Sequence, residues 1–337
     1  MRVRQLSPNV YASDDRFTFR DLMTRELQAA GFTVEEASPF LVATAGAGTC
    51  LFSVSDTSFQ SFEAWRTLKN KVVTRALLKR LGLNYAAGRG YARDAVDEAR
   101  RAVAEFGRAV VKPAKGSRGR GVAVDVTPST FDDAWTAAWK ERGSPRVLIE
   151  RFFEGEEARY LVIDNICRAV LRRIPPAIVG DGSSTIEHLV RSKNSFREKN
   201  PHLSDKLIFL DGQRLALLQA KGFSVGDIPR NGEHIILDPK GNLSTGADSE
   251  DITDIVHEDY VRMAETISLS VPGCHVVGVD ILSVDHMAPA APEEYIIIEA
   301  NTGPGLLGHY YPMYGLRRNV FKMVAESSWD RLNRTSV

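Results

Sequence analysis

The stretch HVVGVDILSVDHMAPAAPEEYIIIEAN, residues 275–301, contains two apolar segments joined by a turn-rich linker. Both segments are rich in valine and isoleucine, which favours two β-strands that pair as an antiparallel hairpin. Such a hairpin would bring Asp280 close to Glu299 and Asn301, and the last two share one face because they are two residues apart. Carboxylates buried among apolar residues require compensating cations. The hairpin therefore predicts a Mg²⁺ site, although carboxylates facing solvent at strand ends are the structural alternative.

Two apolar segments upstream of this hairpin also predict strands, ARYLVI (158–163) and CRAVLRRI (167–174). Arg159 lies in the first segment, and Arg172 and Arg173 lie near the end of the second. Guanidinium groups next to a transferring phosphoryl group neutralise its charge without reorganisation. Exposed strand arginines are the alternative.

A basic, glycine-rich loop follows another short strand in VVKPAKGSRGRGV, residues 110–122. Its glycines let backbone N–H groups turn towards an anion, and its lysines and arginines neutralise phosphate charge. The stretch matches neither the Walker A pattern nor the GxGxxG dinucleotide fingerprint. A basic β-hairpin turn remains the alternative to a phosphate-binding loop.

An acidic, glycine-containing connection, ERFFEGEE (150–157), leads out of a further apolar strand. A nucleotide base bound at a domain junction would find backbone groups, an aromatic ring and a carboxylate for the ribose here. An ordinary acidic linker is the alternative.

Apolar periodicity and turn residues predict the remaining elements. They are a helix within residues 14–32 that stops at Gly31, a strand at Thr49–Asp56, one helix with Trp65, Leu68, Val72, Ala76 and Leu77 on its buried stripe, a helix over Ala95–Phe106, a helix starting at Thr127–Pro128, and a helix around Tyr260–Ile267. The polar, turn-rich stretch from Gly180 to Gly246 predicts long, partly mobile loops with short helices.

The bulk composition is that of a globular protein with about two domains in its 337 residues. Lysine plus arginine equal aspartate plus glutamate at 43 each, so no net positive field favours binding to nucleic acid or to a membrane. The three cysteines are widely separated, which predicts reduced thiols rather than a metal site. The N-terminus lacks the apolar run of a signal peptide, so a cytoplasmic location is expected.

Together and in this order, seven motifs resemble the ATP-grasp superfamily of ligases. The resemblance is to the glutathione-synthetase module of bifunctional glutamate–cysteine ligase/glutathione synthetases and to cyanophycin synthetase, and it covers about residues 66–320. The motifs are NKVVTRALLKRLGL, VVKPAKGSRGRGV, VLIERFFEGEEARYLVI, RRIPPAIVGDGSSTIEHLV, LSTGADSEDITDIVHEDY, VVGVDIL and IIIEANTGPGLLGHYYP. Each motif by itself is weak, whereas their common order is specific.

The resemblance implies an α/β (α+β) protein with the ATP-grasp fold, in which two α/β subdomains clasp ATP. The implied division is a short N-terminal pre-ATP-grasp region at 1–65, a small lid subdomain at 66–155 and a C-terminal subdomain with the metal site at 156–330. The N-terminal region is shorter than the usual N-terminal domain, and the chain is expected to stand alone, without a glutamate–cysteine ligase domain upstream or a Mur-ligase-like domain downstream. The implied cofactors are ATP and two Mg²⁺ ions, with Mn²⁺ as a substitute.

The resemblance also implies residue roles. Lys71 and Lys112 would contact the ATP phosphates, under a loop that contains Lys115, Ser117, Arg118, Gly119 and Gly121. The adenine pocket would be formed by Glu150, Arg151, Phe152 and Phe153, with Glu157 on the ribose. Asp280, Glu299 and Asn301 would hold the metal ions, while Arg173 and Arg159 would act on the transferring phosphoryl group. Substrate contacts are expected from Asn194, His309 and Tyr310.

The implied function is ATP-dependent carboxylate–amine ligation through an acyl phosphate, with ADP and phosphate as products and an amino acid, small peptide or related metabolite as substrate. Glutathione synthesis from γ-glutamylcysteine and glycine is one alternative. The same site making a different bond is a second, and a catalytically decayed nucleotide-binding regulatory protein is a third. Expected partners are small-molecule carboxylates and amines, without nucleic acid or membrane, and a homodimer is expected only by analogy with the family.

Overall fold

The computed structural model describes residues 7–115, 120–141, 143–239 and 241–334. Ser117, Arg118 and Gly119 of the predicted phosphate loop therefore lie outside the described residues. In chain order the elements are α1 (Phe19–Ala29), β1 (Thr33–Ala37), β2 (Phe40–Ala45), β3 (Gly48–Ser53), β4 (Asp56–Thr57), α2 (Phe62–Lys69), α3 (Lys71–Arg80), β5 (Gly88–Tyr91), α4 (Val96–Phe106), β6 (Ala109–Pro113), β7 (Ala123–Val126), α5 (Phe131–Lys140), β8 (Val147–Arg151), β9 (Glu156–Ile163), β10 (Ile166–Ile174), β11 (Ala177–Val179), α6 (Ile186–Glu198), α7 (Gly212–Ala220), β12 (His234–Ile236), β13 (Asp248–Asp251), α8 (Glu258–Leu269), β14 (Val276–Ser283), β15 (Tyr295–Thr302), α9 (Leu307–Tyr310) and α10 (Val320–Arg334).

The central sheet has five antiparallel strands in the order β13-β10-β9-β14-β15. The hairpin expected from residues 275–301 is present as β14 and β15, and it places Asp280 directly opposite Glu299. On its other side Asp280 lies opposite Arg159 of β9. The strand pairing therefore brings the predicted acidic and basic residues to one place on the sheet.

A second sheet, in the order β5-β8-β6-β7, forms the smaller α/β unit with α4 and α5. Its core contains Val103, Val111, Phe131 and Ile149. Helix α4 ends as predicted, since Gly107 follows it with a positive φ of 70° that favours glycine. Backbone hydrogen bonds near Tyr85 tie the entry of this unit to β15 at Ile297.

The N-terminal sheet, β1-β2-β3-β4, shares its core with the C-terminal helix and the central sheet. Leu22 of α1, Phe52 of β3, Leu161 of β9 and Phe321 of α10 belong to one buried cluster. The first 60 residues therefore pack against both the C-terminal helix and the central sheet. The division at residues 65 and 155 stays a prediction, and α2 and α3 pack on the central sheet rather than on the second one.

The single helix predicted from Trp65 to Leu77 is wrong, because the chain forms two helices that break at Asn70. The Asn70 side chain accepts hydrogen bonds from the backbone N–H groups of Val72 and Val73, which caps α3 and turns the chain. As a result Trp65 and Val72 are exposed, Val72 by 72%, instead of lying on a buried stripe.

The helix start predicted at Thr127–Pro128 is also wrong. Thr127 and Thr130 instead form a hydrogen-bonded turn, and α5 begins at Phe131. The side-chain hydroxyl of Thr130 accepts a hydrogen bond from the Thr127 backbone N–H, so it stabilises the turn and is not used as a helix cap.

The stretch from Gly180 to Gly246 is a packed unit rather than long loops. It contains α6, α7 and, together with β11, the two-stranded sheet β11-β12. Ile186, Leu218 and Ile235 meet in a separate buried cluster there. The apolar residues are too widely spaced along the chain for periodicity to reveal this core. No helix among the described residues is long and apolar enough to span a membrane.

The shared N-terminal and C-terminal core predicts that Phe321→Ala destabilises the protein by about 3–5 kcal/mol, because a fully buried ring is lost next to Phe19 and Tyr310. Urea unfolding measures this loss. Phe62→Ala is the matched control, since that ring is 63% exposed, and it should change stability by no more than about 0.5 kcal/mol. Equal effects of the two substitutions would contradict the shared core.

Candidate active site

Asp280 lies at the centre of the candidate site, in the middle of the central sheet. Its side chain is only 2% exposed. Arg159 binds both of its oxygens, with Nε 2.7 Å from Oδ1 and Nη2 2.6 Å from Oδ2. Burial by itself would raise the pKa of Asp280, but Arg159 and Arg173 outweigh it and hold that pKa below the ordinary value. Asp280 is therefore a buried anion.

Glu299 and Asn301 lie on β15, next to Asp280 of β14. They are close to each other, as their spacing of two residues predicted. The Asn301 amide nitrogen donates to Glu299 Oε1 at 2.7 Å, which leaves the Asn301 amide oxygen as an acceptor. Two carboxylates and an amide oxygen form a hard oxygen donor set. No group of three or more His, Cys, Asp or Glu residues suited to a metal ion occurs among the described residues. A cation here would need further oxygens, as Mg²⁺ does when it shares substrate phosphates.

Arg173 extends the charged cluster from β10. Its Nη1 lies 3.6 Å from Asp280 Oδ2, and it also forms an ion pair with Glu157, its register partner on β9. Burial raises the pKa of Glu157 although Arg173 opposes the shift. The neighbouring Arg172 points to the other face, where it pairs with Glu156 and Glu250. Only the second arginine of the predicted pair therefore belongs to the site.

Two lysines approach this cluster from other elements. Lys71, the first residue of α3, has its Nζ 3.6 Å from Glu299 Oε2. Lys112 of β6 is buried, and its Nζ lies 2.7 Å from Glu150 Oε2. Burial and the nearby charge of Lys71 lower the pKa of Lys112, whereas the charge of Glu299 raises it. Lys71 and Lys112 thus approach the same charged cluster from α3 and β6, an arrangement that suits a polyanion.

Glu150, predicted in the adenine pocket, has a side chain that is 3% exposed and forms ion pairs with Lys112 and Arg75. Its carboxylate therefore serves to hold two cations in place. Arg75 was not anticipated, although it lies four residues after Lys71 and so on the same helix face, a spacing that could have indicated it.

The other residues predicted to bind the nucleotide lie at or after the end of β8, or between β6 and β7. The Arg108 guanidinium lies 4.3 Å from the centre of the Phe152 ring, while Arg151 is exposed and faces Phe106. Phe153 is half-buried and Lys115 is exposed. Gly121 has a φ of +66°, and a Cβ there would lie 2.9 Å from Glu141 Cγ, so this position requires glycine. Their contact with a nucleotide stays a prediction.

The three tentative substrate residues have different surroundings. His309 is fully buried, and neither ring nitrogen has a hydrogen-bond partner among the described residues. Burial, and then Arg159 and Arg173, lower the pKa of His309 to about 3, so the ring is neutral. The Tyr310 hydroxyl accepts from Arg25 Nη2 at 3.0 Å. The Asn194 amide donates to and accepts from the backbone of Ile208, away from this cluster. The substrate roles stay predictions.

The chain is similar to several known proteins. The family model "Carbamoyl-phosphate synthase L chain, ATP binding domain" matches residues 70–167. The chain is 33% identical over 229 residues to a cyanophycin synthetase of Geminocystis herdmanii, covering 66% of this chain and 26% of that protein. It is 32% identical over 278 residues to the glutathione biosynthesis bifunctional protein GshAB of Clostridium perfringens, covering 80% of this chain and 35% of that protein. The chain spans about a quarter to a third of the length of these relatives.

Among solved structures, a bifunctional glutathione synthetase from Pasteurella multocida matches 95% of this chain and 44% of its own, with 26% sequence identity and a TM-score of 0.69. This match extends over nearly the whole chain, so it takes in most of the N-terminal region 1–65. It agrees with the mixed α/β architecture and the antiparallel sheets described above.

The two buried ion pairs of Glu150 predict that Glu150→Gln destabilises the protein by about 3–5 kcal/mol, because Lys112 and Arg75 would lose their compensating charge. Thermal or urea unfolding measures the change. Glu154→Gln is the control, because that carboxylate is 81% exposed in its ion pair with Arg108 and should contribute less than about 1 kcal/mol. A Glu150→Gln protein as stable as this control would show that the cations are not held by Glu150.

Proposed function

Because the chain has the ATP-grasp fold and resembles ATP-grasp ligases of the cyanophycin-synthetase and bifunctional glutathione-synthetase types, we propose that it is an ATP-dependent carboxylate–amine ligase. The observation that supports this most directly is the oxygen set of Asp280, Glu299 and Asn301 beside Arg159 and Arg173. Charge of both signs is concentrated there.

Lys71 and Lys112 bind the triphosphate of ATP. Each is already held by a carboxylate, so each is oriented before the nucleotide arrives. Such preorganisation reduces the cost of fixing long side chains when the ligand binds. The exposed Lys115 contacts the phosphates, and Phe152 and Phe153 line the base.

Asp280, Glu299 and Asn301 would hold two Mg²⁺ ions, with Mn²⁺ as a substitute. When bound, these ions neutralise phosphate charge and orient the γ-phosphate. The residues present fit the ion, because hard oxygens that can each accept more than one contact converge at one place. Arg159 shares the Asp280 carboxylate, so it stays beside the phosphates.

The carboxylate substrate attacks the γ-phosphorus, and the bond to the ADP oxygen breaks with its electron pair. Arg159 and Arg173 neutralise the phosphoryl oxygens while this takes place. The amine then forms the C–N bond and phosphate leaves the acyl carbon. Water must be kept from the acyl phosphate, which it would otherwise hydrolyse.

The substrate is an amino acid, a small peptide or a related metabolite. Ligation of γ-glutamylcysteine to glycine is the second candidate, favoured by the similarity to GshAB over 80% of this chain. The chain corresponds to about a third of that protein, so the shared part supports the chemistry more strongly than the substrate.

The proposal is tested by phosphate release from Mg-ATP with pooled amino acids and dipeptides, with mass spectrometry for condensed products. Release should require both a carboxylate and an amine. Asp280→Ala and Glu299→Ala should lower turnover by about 100-fold or more, since the ion would lose a ligand. Glu293→Ala, an exposed carboxylate on the linker between the same strands, is the control. Unchanged turnover in the two site variants would remove the metal assignment, and failure of the wild type to bind Mg-ATP would remove the whole proposal.

The second prediction of this proposal concerns ATP affinity. Lys112→Met keeps the apolar stem but removes the charge, and we expect an apparent KM for ATP about tenfold higher, equivalent to ~1.4 kcal/mol for one charge-assisted contact. Lys140→Met, at the exposed end of α5, is the control. Equal KM values would place Lys112 outside the phosphate site.

A further inference from the structure

The hairpin tip between β3 and β4, residues 53–56, has an unusual backbone. Val54 adopts a positive φ of 55° although it is a β-branched residue, and its side chain is 59% exposed. This conformation is costly for valine, so it persists only where surrounding contacts enforce it. The next two residues provide those contacts.

Ser55 and Asp56 anchor the hairpin tip to the turn that follows the predicted metal ligands. The buried Ser55 hydroxyl donates to the Pro304 carbonyl oxygen at 2.5 Å. Asp56 accepts a hydrogen bond from the Gly303 backbone N–H, and a Cβ on Gly303 would lie 2.8 Å from Asp56 Oδ2. The N-terminal hairpin therefore reaches the turn that begins two residues after Asn301.

The same turn lies beside the reaction centre. A Cβ placed on Gly278 would be 2.8 Å from Pro304 Cβ and 3.3 Å from Arg159 Nε, so both side chains pack over this glycine. Arg159 is the residue that holds Asp280. Asp56 is thus separated from the Arg159–Asp280 pair by a single layer of residues.

The Asp56 carboxylate has an unused acceptor. Its Oδ1 is covered and has no hydrogen-bond partner among the described residues. Leaving a covered acceptor unpaired is costly, whereas the carboxylates of Asp280, Glu299 and Glu150 each face a lysine or arginine. Burial raises the pKa of Asp56, and Lys69 opposes the shift without forming an ion pair within 4 Å. The residue as a whole is partly exposed.

We propose that Asp56 binds the amine substrate, which is a primary amine that is protonated in solution, such as the α-ammonium group of an amino acid. This inference rests on the ligase function proposed above. The lysines and arginines of the charged cluster attract the phosphates and the carboxylate substrate, and they would repel an ammonium group. Asp56 is a carboxylate next to that cluster, and its Oδ1 has no hydrogen-bond partner among the described residues.

In the proposed reaction Asp56 accepts one proton. The bound ammonium gives a proton to the Asp56 carboxylate, and the freed nitrogen lone pair forms the C–N bond with the acyl carbon. The bond from that carbon to the phosphate oxygen breaks with its electron pair, and phosphate leaves. The second proton lost by nitrogen passes to solvent, so charge and atoms balance.

The experiment compares two amines at pH 7 with pooled amino acids and dipeptides as carboxylates. Glycine is protonated at this pH, whereas hydroxylamine is mostly neutral and gives a hydroxamate that is measured separately. Asp56→Asn keeps the shape and the acceptor for Gly303 but removes the charge. We expect kcat/KM for glycine to fall about 100-fold and hydroxamate formation to change by less than about twofold. Asp132→Asn, an exposed carboxylate on α5, should change neither.

The outcomes separate this inference from the proposed function. Equal activity of Asp56→Asn and wild type with glycine would overturn the role of Asp56 while leaving the ligase intact. Equal losses with both amines would also overturn it, because they would indicate that Asp56 only supports the Gly303 turn. If the wild type forms neither hydroxamate nor amide, the proposed function is wrong and the inference falls with it.

Discussion

The ion pair between Asp280 and Arg159 is the interaction on which the arrangement of the site depends. An anion in the middle of a β-sheet is costly unless a cation with good geometry faces it, and here two guanidinium nitrogens bind its two oxygens. Removing either partner would leave an uncompensated charge in the core. This requirement fixes the register of β9 against β14, and β10 then brings Arg173 to the same carboxylate.

The need to compensate a buried charge also applies at β8, where the Glu150 carboxylate holds Lys112 and Arg75. Lys112 and Arg159 are therefore each oriented by a buried partner of opposite charge. A triphosphate that binds here would replace some of these carboxylates as the partner of the cations, so that the cations need little reorganisation. His309 is neutral and close enough to Arg159 and Arg173 to feel their charge, and neither of its ring nitrogens has a hydrogen-bond partner among the described residues. A bound ligand would supply the missing polar contacts.

The core around Phe52 and Phe321 shows why the N-terminal residues were hard to interpret. Their apolar positions are ordinary for a small sheet and helix, and the partner that covers them, α10, lies about 270 residues away in the chain. Periodicity reports only which face of an element is buried. It failed at Asn70 because a side-chain cap interrupts the helix without disturbing the apolar pattern, and it failed after Gly180 because the core there is assembled from distant segments.

The sequence by itself determined the β14–β15 hairpin, the shared face of Glu299 and Asn301, and the arginines of β9 and β10, since strand periodicity and residue chemistry are local properties. The order of the motifs then indicated the ATP-grasp fold. Only the tertiary structure decided that Arg173 faces Asp280 while Arg172 faces Glu250, that Glu150 holds two cations, and that Asp56 reaches the turn after Asn301. These are contacts between residues far apart in the chain, and their geometry follows from strand register and packing rather than from any local pattern.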